Sequence, residues 1–219
     1  MAIFTRKYQR KNYYVEQGLL SANGYAVYEY AIVLEPHADL AETIAAEKKY
    51  YATTYQCPEA LHIKPRITLV RFKQHELMEV HIIRQLTNIA TAVNTFKVEL
   101  KNYGSYPSHT IFIQVVSKVE IMDIVKSLKA SQKLMKFDDE HKPHFLTAPH
   151  ISIAGKLLPW QYEKSWAEYQ HKHFHGRFIA EHVLLLKRKE NTKMWQPVNT
   201  FSFKNMHTQP VQAALFPSK

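Results

Sequence analysis

The sequence predicts an α+β fold of two pseudo-symmetric lobes. Each lobe is an antiparallel sheet with helices packed on its outer face, and a groove runs between the lobes. Three observations carry this. A strand–helix–strand unit occurs twice along the 219 residues. Each unit closes on a strand that opens Pro-x-Ile-Thr/Ser, at Pro65-Arg66-Ile67-Thr68 and at Pro149-His150-Ile151-Ser152. Between the units, Phe96, Val98 and Leu100 alternate with Lys97, Glu99 and Lys101, the period of an antiparallel strand with one face in water.

The elements follow in order. Residues 1–24 form a basic arm in which Arg6, Lys7, Arg10 and Lys11 are interleaved with Tyr8, Tyr13 and Tyr14. Such an arm tracks phosphates and stacks bases, or is simply a poorly ordered terminus. The bilobal domain is expected over 25–203, with 204–219 as a tail. YAVYEYAIVLEP, from Tyr25, reads as a buried strand stopped by Pro36. A helix from His37 to Tyr55 places Leu40, Ile44, Tyr51 and Tyr55 on one face and turns Glu42, Glu47, Lys48 and Lys49 to water. The strand PRITLVRF and a helix from Leu77 to Val93 complete the first unit. In the second, HTIFIQVV is a strand and Val119 to Met135 a helix with Ile121, Ile124, Val125, Leu128 and Met135 as its stripe. PHISIAGKL is the next strand, and Trp160 to His171 is helical, with Tyr162, Trp166 and Tyr169 at helical spacing. RFIAEHVLLLKRK and MWQPVNTFSF close the chain as two strands forming a hairpin across ENTK. The repeat distances are similar: Ile32 precedes Arg66 by 34 residues and Ile113 precedes His150 by 37.

Composition narrows the function. Apolar residues at 46% and charged residues at 22% are those of a globular chain. With 5 glycines and neither G-x-G-x-x-G nor G-x-x-x-x-G-K-S/T, dinucleotide folds and P-loop NTPases are excluded at the motif level. No apolar run reaches the roughly 18–20 residues of a membrane span, so no membrane partner is expected. The N-terminal stretch lacks an apolar core, and the one cysteine, Cys57, has no internal partner, so the expected location is the reducing cytoplasm. A formal net charge of +10 favours polyanionic partners, RNA first.

The repeated strands hold the chemistry. Side chains at i and i+2 share a strand face, so His150 projects with Ser152, and Arg66 with Thr68. Ile67, Leu69, Ile151 and Ile153 then point into the core. Two polar teeth on each of two facing strands suit phosphodiester chemistry, in which side chains move protons and hydroxyls hold the non-bridging oxygens. Lys156 and Arg71 lie just beyond the motifs, either lining the groove or solvated. Tyr103, Tyr106 and Phe112 are packed in the core or stack on a base. His171, His173 and His175 alternate, and with His141 and His144 they raise the question of a metal; no cysteine or carboxylate cluster accompanies them, and no metal or cofactor is expected.

The duplicated motif, the run SIAGKLLPW after it and the strand AIVLEP near the start resemble the 2H phosphoesterase superfamily of RNA 2′,3′-cyclic phosphodiesterases and 2′-5′ RNA ligases. The resemblance spans roughly Tyr25 to Phe203. It implies two H-x-T/S motifs on pseudo-symmetric strands and metal-independent action on RNA ends or nucleotide cyclic phosphates. His150, Ser152 and Thr68 would be catalytic, with Arg66, Thr68, Ser152, Lys156 and Arg71 holding substrate. Where the family pattern has its first histidine this chain has Arg66, which stays protonated and cannot act as acid or base near neutrality. The expectation is therefore reduced activity or, alternatively, a catalytically degenerate module that binds RNA or nucleotide. Neither His62 nor His144 is an expected replacement.

Overall fold

The computed structural model describes residues 26–204 except residue 63. The basic arm over 1–24, Tyr25 and the tail beyond Lys204 lie outside the described residues. The described residues form nine strands and five α-helices, where the sequence reading gives seven and four: one predicted strand and one predicted helix are each divided, and a two-residue strand is additional. The elements are β1 (Val27–Leu34), α1 (Ala38–Thr54), β2 (Ile67–His75), α2 (Glu79–Thr91), β3 (Phe96–Tyr106), β4 (Thr110–Val115), α3 (Val119–Ala130), α4 (Gln132–Met135), β5 (His144–Phe145), β6 (His150–Gly155), α5 (Pro159–Tyr169), β7 (His175–Ala180), β8 (His182–Lys189) and β9 (Gln196–Ser202). They build two sheets, one of five strands ordered β5-β2-β1-β8-β9 and one of four ordered β6-β4-β3-β7, with every neighbouring pair antiparallel. Among the described residues no helix is long and apolar enough to cross a membrane.

Four local expectations are corrected. The segment RFIAEHVLLLKRK is two strands in different sheets: β7 pairs with β3, β8 with β1 and β9. The switch falls at Glu181, whose carbonyl accepts from the Phe203 N–H at 2.7 Å. The cause is a slip of phase, because Phe178 and Ala180 are buried before it and Val183 and Leu185 after it. The helix expected over 119–135 breaks at Ser131, whose hydroxyl oxygen accepts from Gln85 at 2.8 Å. On α1, Lys48 does not face water. It is 2% exposed and lies one helical turn beyond Ile44 on the apolar stripe, while the half-buried Glu47 accepts from Tyr169 and Lys172. On α5 the buried face runs through Gln161, Ser165 and Tyr169, leaving Tyr162 and Trp166 half-buried.

The helices cross between the sheets. α1 follows β1 but packs on the four-stranded sheet, where Lys48 Nζ donates to the Ile153 carbonyl at 3.1 Å and Leu40 lies against Gly176. The pair α3 and α4 follows β4 but packs on the five-stranded sheet, where the Gln74 amide donates to the carbonyls of Leu134 and Lys136 at 3.0 and 3.1 Å. α2 and α5 stay with the sheets they follow: Tyr30 donates to Glu79 at 2.8 Å, and the Ser105 and Tyr162 hydroxyls meet at 2.9 Å. α1 and the pair α3 and α4 thus each cover the sheet opposite the strand they follow, and one main core is shared by both sheets, with a small second cluster of Ala31, Val33 and Leu186 packed with Trp195.

The two motif strands share an irregularity. In β2, Thr68 pairs with Val33 and Val70 with Ile32, so Leu69 is an extra residue. In β6, Ser152 pairs with Phe112 and Ala154 with Ile111, so Ile153 is extra. A β-bulge therefore follows the hydroxyl residue of each motif and breaks the alternation beyond it. The inward residues on both sides of each bulge, Leu69-Val70 and Ile153-Ala154, are fully buried. Both extra carbonyls are satisfied: Leu69 accepts from the Leu146 N–H at 2.8 Å, and Ile153 accepts from Lys48.

Candidate active site

A cleft of about 360 Å³ lies where the motif strands face one another. The five-stranded sheet contributes Thr68, Arg71 and His144 to it, and the four-stranded sheet side contributes Tyr106, His150 and Ser152. His150 and Ser152 reach it by the expected i, i+2 spacing on β6. Thr68 and Arg71, three residues apart, reach it together because the bulge at Leu69 returns Arg71 to the Thr68 face. His144 arrives on β5, a two-residue strand whose register places it beside Arg71.

His150 is the best defined group. It is half-buried, with its ring 4.9 Å from Phe112 and 5.4 Å, edge-on, from Tyr106. Its Nδ1 lies 2.8 Å from the Ala148 carbonyl. A carbonyl only accepts, so Nδ1 carries the hydrogen and Nε2 keeps a lone pair. Burial pulls the imidazole below its ordinary pKa, and the Ala148 hydrogen bond opposes that pull. The neutral ring, ready to take a proton, is therefore the resting form near neutrality.

Arg66 stands elsewhere. It lines an adjoining cleft of about 380 Å³, together with Glu35, His62, Lys64, Lys193 and Trp195. Its guanidinium carbon is 5.4 Å from the Trp195 ring centroid, and those of Arg71 and Arg188 are at 5.8 and 4.5 Å on the same indole. Burial lowers the Arg66 pKa, Glu35 opposes the shift, and Arg71 and Arg188 add to it; an arginine so placed still carries its charge near neutrality. Arg71 lines the first cleft and reaches Trp195, so it stands between the two.

The other expected residues divide. Lys156 is exposed in the turn after β6, at a φ of 57°, and is absent from the lining of both clefts. Tyr103 is buried in the core, whereas Tyr106 and Phe112 flank His150. His62 lies with Arg66, away from His150. Among the described residues no three of His, Cys, Asp or Glu converge as metal ligands; His141 is engaged with Asp138 at 2.8 Å. The sequence reading considered His144 and did not expect it in the site, and it did not single out Trp195. Both reach the site from short or irregular segments that carry no periodic signal, and only the proximity of His144 to the second motif hinted at its place.

Comparison with curated protein sequences gives no match. Solved structures match over most of the chain. The crystal structure of E. coli LigT complexed with 3′-AMP aligns with 81% of this chain and 98% of its own, at 11% identity and a TM-score of 0.60. TT0787 of Thermus thermophilus aligns with 82% of this chain and 100% of its own, at 13% identity and a TM-score of 0.58. LigT has also been solved with phosphate, at 10% identity and a TM-score of 0.53 with 81% of this chain and 98% of that one covered. Likeness at these identities establishes a shared fold. The sequence itself carries the family: residues 35–192 match the profile of the 2′-5′ RNA ligase superfamily. A match over that span, with this fold beneath it, makes the chain a member of the 2′-5′ RNA ligase superfamily.

Proposed function

We propose that the chain acts on 2′,3′-cyclic phosphates of RNA ends or nucleotides, as a cyclic phosphodiesterase or 2′-5′ RNA ligase-like enzyme that needs no metal and works at reduced rate. The observation that carries this is the meeting of His150 and Ser152 with Thr68 and Arg71 in one cleft, from equivalent bulged strands of two sheets. That LigT has been solved with 3′-AMP and with phosphate supports a nucleotide phosphate as ligand.

In hydrolysis, His150 Nε2 takes a proton from water as the water oxygen bonds to phosphorus. The bond from phosphorus to one ribose oxygen breaks, and that oxygen receives a proton, so one water is consumed and a phosphomonoester is formed. Thr68 and Ser152 hydroxyls donate to the non-bridging oxygens, and Arg71 balances their charge. Arg66 cannot give the second proton. We assign that role to His144, the other imidazole lining the cleft. Loss of a positioned acid–base group costs about 10²–10⁴-fold in rate, which sets the expected handicap if His144 replaces it imperfectly.

A second reading, a module that binds RNA or nucleotide without turnover, is favoured by one observation. Arg66, one residue before β2, stands three residues before its bulge as His150 does in β6, and lines the neighbouring cleft. Turnover of a 2′,3′-cyclic mononucleotide by the wild type, His150→Gln and His144→Gln separates the two. Slow turnover lost in His150→Gln supports the enzyme. Turnover independent of His150 overturns it, and nucleotide binding without any turnover establishes the second reading.

A further inference from the structure

The Trp195 cleft beside the candidate active site has its own chemistry. Lys64, Arg66 and Lys193 line it against one carboxylate, Glu35. Of the three guanidiniums around Trp195, Arg188 is held by Glu29 at 2.7 Å. Among the described residues Arg66 and Arg71 make no ion pair. A pocket with surplus cations and an aromatic wall fits a phosphate joined to a flat ring. Arg66 also lies two residues before Thr68, just outside β2, about 6.6 Å away for extended backbone. That step is longer than the phosphorus spacing within a diphosphate and suits the phosphate of an adjoining nucleotide.

We propose that this cleft is a second-nucleotide subsite for single-stranded RNA. It holds the phosphate and base next to the end bound at His150, with Arg66, Lys64 and Lys193 on the phosphate and Trp195 beside the base. Arg71, which lines the first cleft and lies 5.8 Å from the Trp195 ring of the second, is the bridge between the two phosphates. The inference rests on the reading that the first cleft takes the terminal cyclic phosphate. It makes a short RNA strand, rather than a mononucleotide, the ligand the protein is built for.

The test is a ratio of affinities, measured by titration on the 219-residue chain. The probes are a tetraribonucleotide ending in a 2′,3′-cyclic phosphate, the corresponding cyclic mononucleotide, and ATP. The wild type should prefer the tetranucleotide to the mononucleotide by about tenfold or more, the size of one charge-assisted contact. In Lys64→Gln/Lys193→Gln, which alters exposed side chains only, the ratio should fall towards one and the salt slope for the tetranucleotide should become shallower by about one. Arg66→Gln should act in the same direction. A wild-type ratio of one, or a ratio unchanged in the variants, overturns the subsite. ATP binding as well as the tetranucleotide, with the same sensitivity to the two lysines, overturns the assignment to an adjoining nucleotide in favour of a polyphosphate tail. A tetranucleotide with a plain 3′-hydroxyl keeps the proposals separable. Its affinity should still fall in the lysine variant even if His150 proves to have no part in cyclic-phosphate chemistry.

Discussion

Burying the His150 imidazole disfavours its charged form, and this reaches stability as well as chemistry. The folded pKa lies below the ordinary value of about 6.5, so the unfolded chain binds the extra proton first as pH falls. The contribution of His150 to stability is therefore fully present above about pH 6.5 and is lost on acidification through the folded pKa. Urea unfolding should show a larger loss from about pH 7.5 to about pH 5 in the wild type than in His150→Gln; parallel losses would remove the buried imidazole as the cause. The same ring explains why Arg66 is the other decisive side chain. At the corresponding position, Arg66→His would replace a permanent cation by a titrating group too short to stay over Trp195. If the two positions are chemically equivalent, cyclic-phosphate turnover should rise by about 10²-fold or more, with a bell-shaped pH profile. A well-folded Arg66→His variant with no gain would show that the first motif no longer faces the phosphorus.

The bulges set what each strand can present. Strict alternation on β2 would send Arg71 to the face opposite Thr68; the extra Leu69 brings it back. On β6 the corresponding extra residue depends on Lys48, a buried ammonium whose pKa is lowered to about 7, first by desolvation and then by repulsion from Arg66. A lysine depressed in the fold contributes stability that grows as pH rises from about 7 towards its unfolded value of about 10.4. Wild-type stability relative to Lys48→Met should therefore increase between about pH 7 and about pH 9.5, below the range in which tyrosines ionise. A flat difference across that window would mean that Lys48 is solvated. Most of this level was legible in the sequence. Alternating apolar residues marked the strands, and the Pro-x-Ile-Thr/Ser repeat marked which two matter. The bulges left only a faint trace, the adjacent buried pairs Leu69-Val70 and Ile153-Ala154, which resemble an ordinary apolar run. The burial of Lys48 was available from its spacing to Ile44, but a charged residue at that position reads first as solvent-facing.

At the scale of the whole molecule, the exchange of α1 and α3 between the sheets joins them over one main core. Pairing within each half was readable from the repeat, whereas the crossing was not, because amphipathic stripes state that a helix is covered and not by which sheet. Removing either sheet would strip the covering helix from the other, so a single cooperative unfolding transition is expected. Cys57, buried at the end of α1, reports on one side, and Trp195, among the arginines of the five-stranded sheet, reports on the other. In Trp160→Phe/Trp166→Phe, urea midpoints from Cys57 labelling and from Trp195 fluorescence should coincide. Separated midpoints would mean that the sheets unfold as independent units.

The strand order carries one more consequence. The exposed turn Pro107-Ser108-His109 joins β3 to β4, and a cut there divides both sheets: β1 and β2 part from β5, β8 and β9, and β3 parts from β4, β6 and β7. Cut at that turn, neither fragment retains a complete sheet, yet together they retain every contact of the intact protein except one peptide bond. The fragments should be unstructured apart and regain the cleft on mixing, so that the duplication read from the sequence is also a seam along which the molecule can be parted and rejoined.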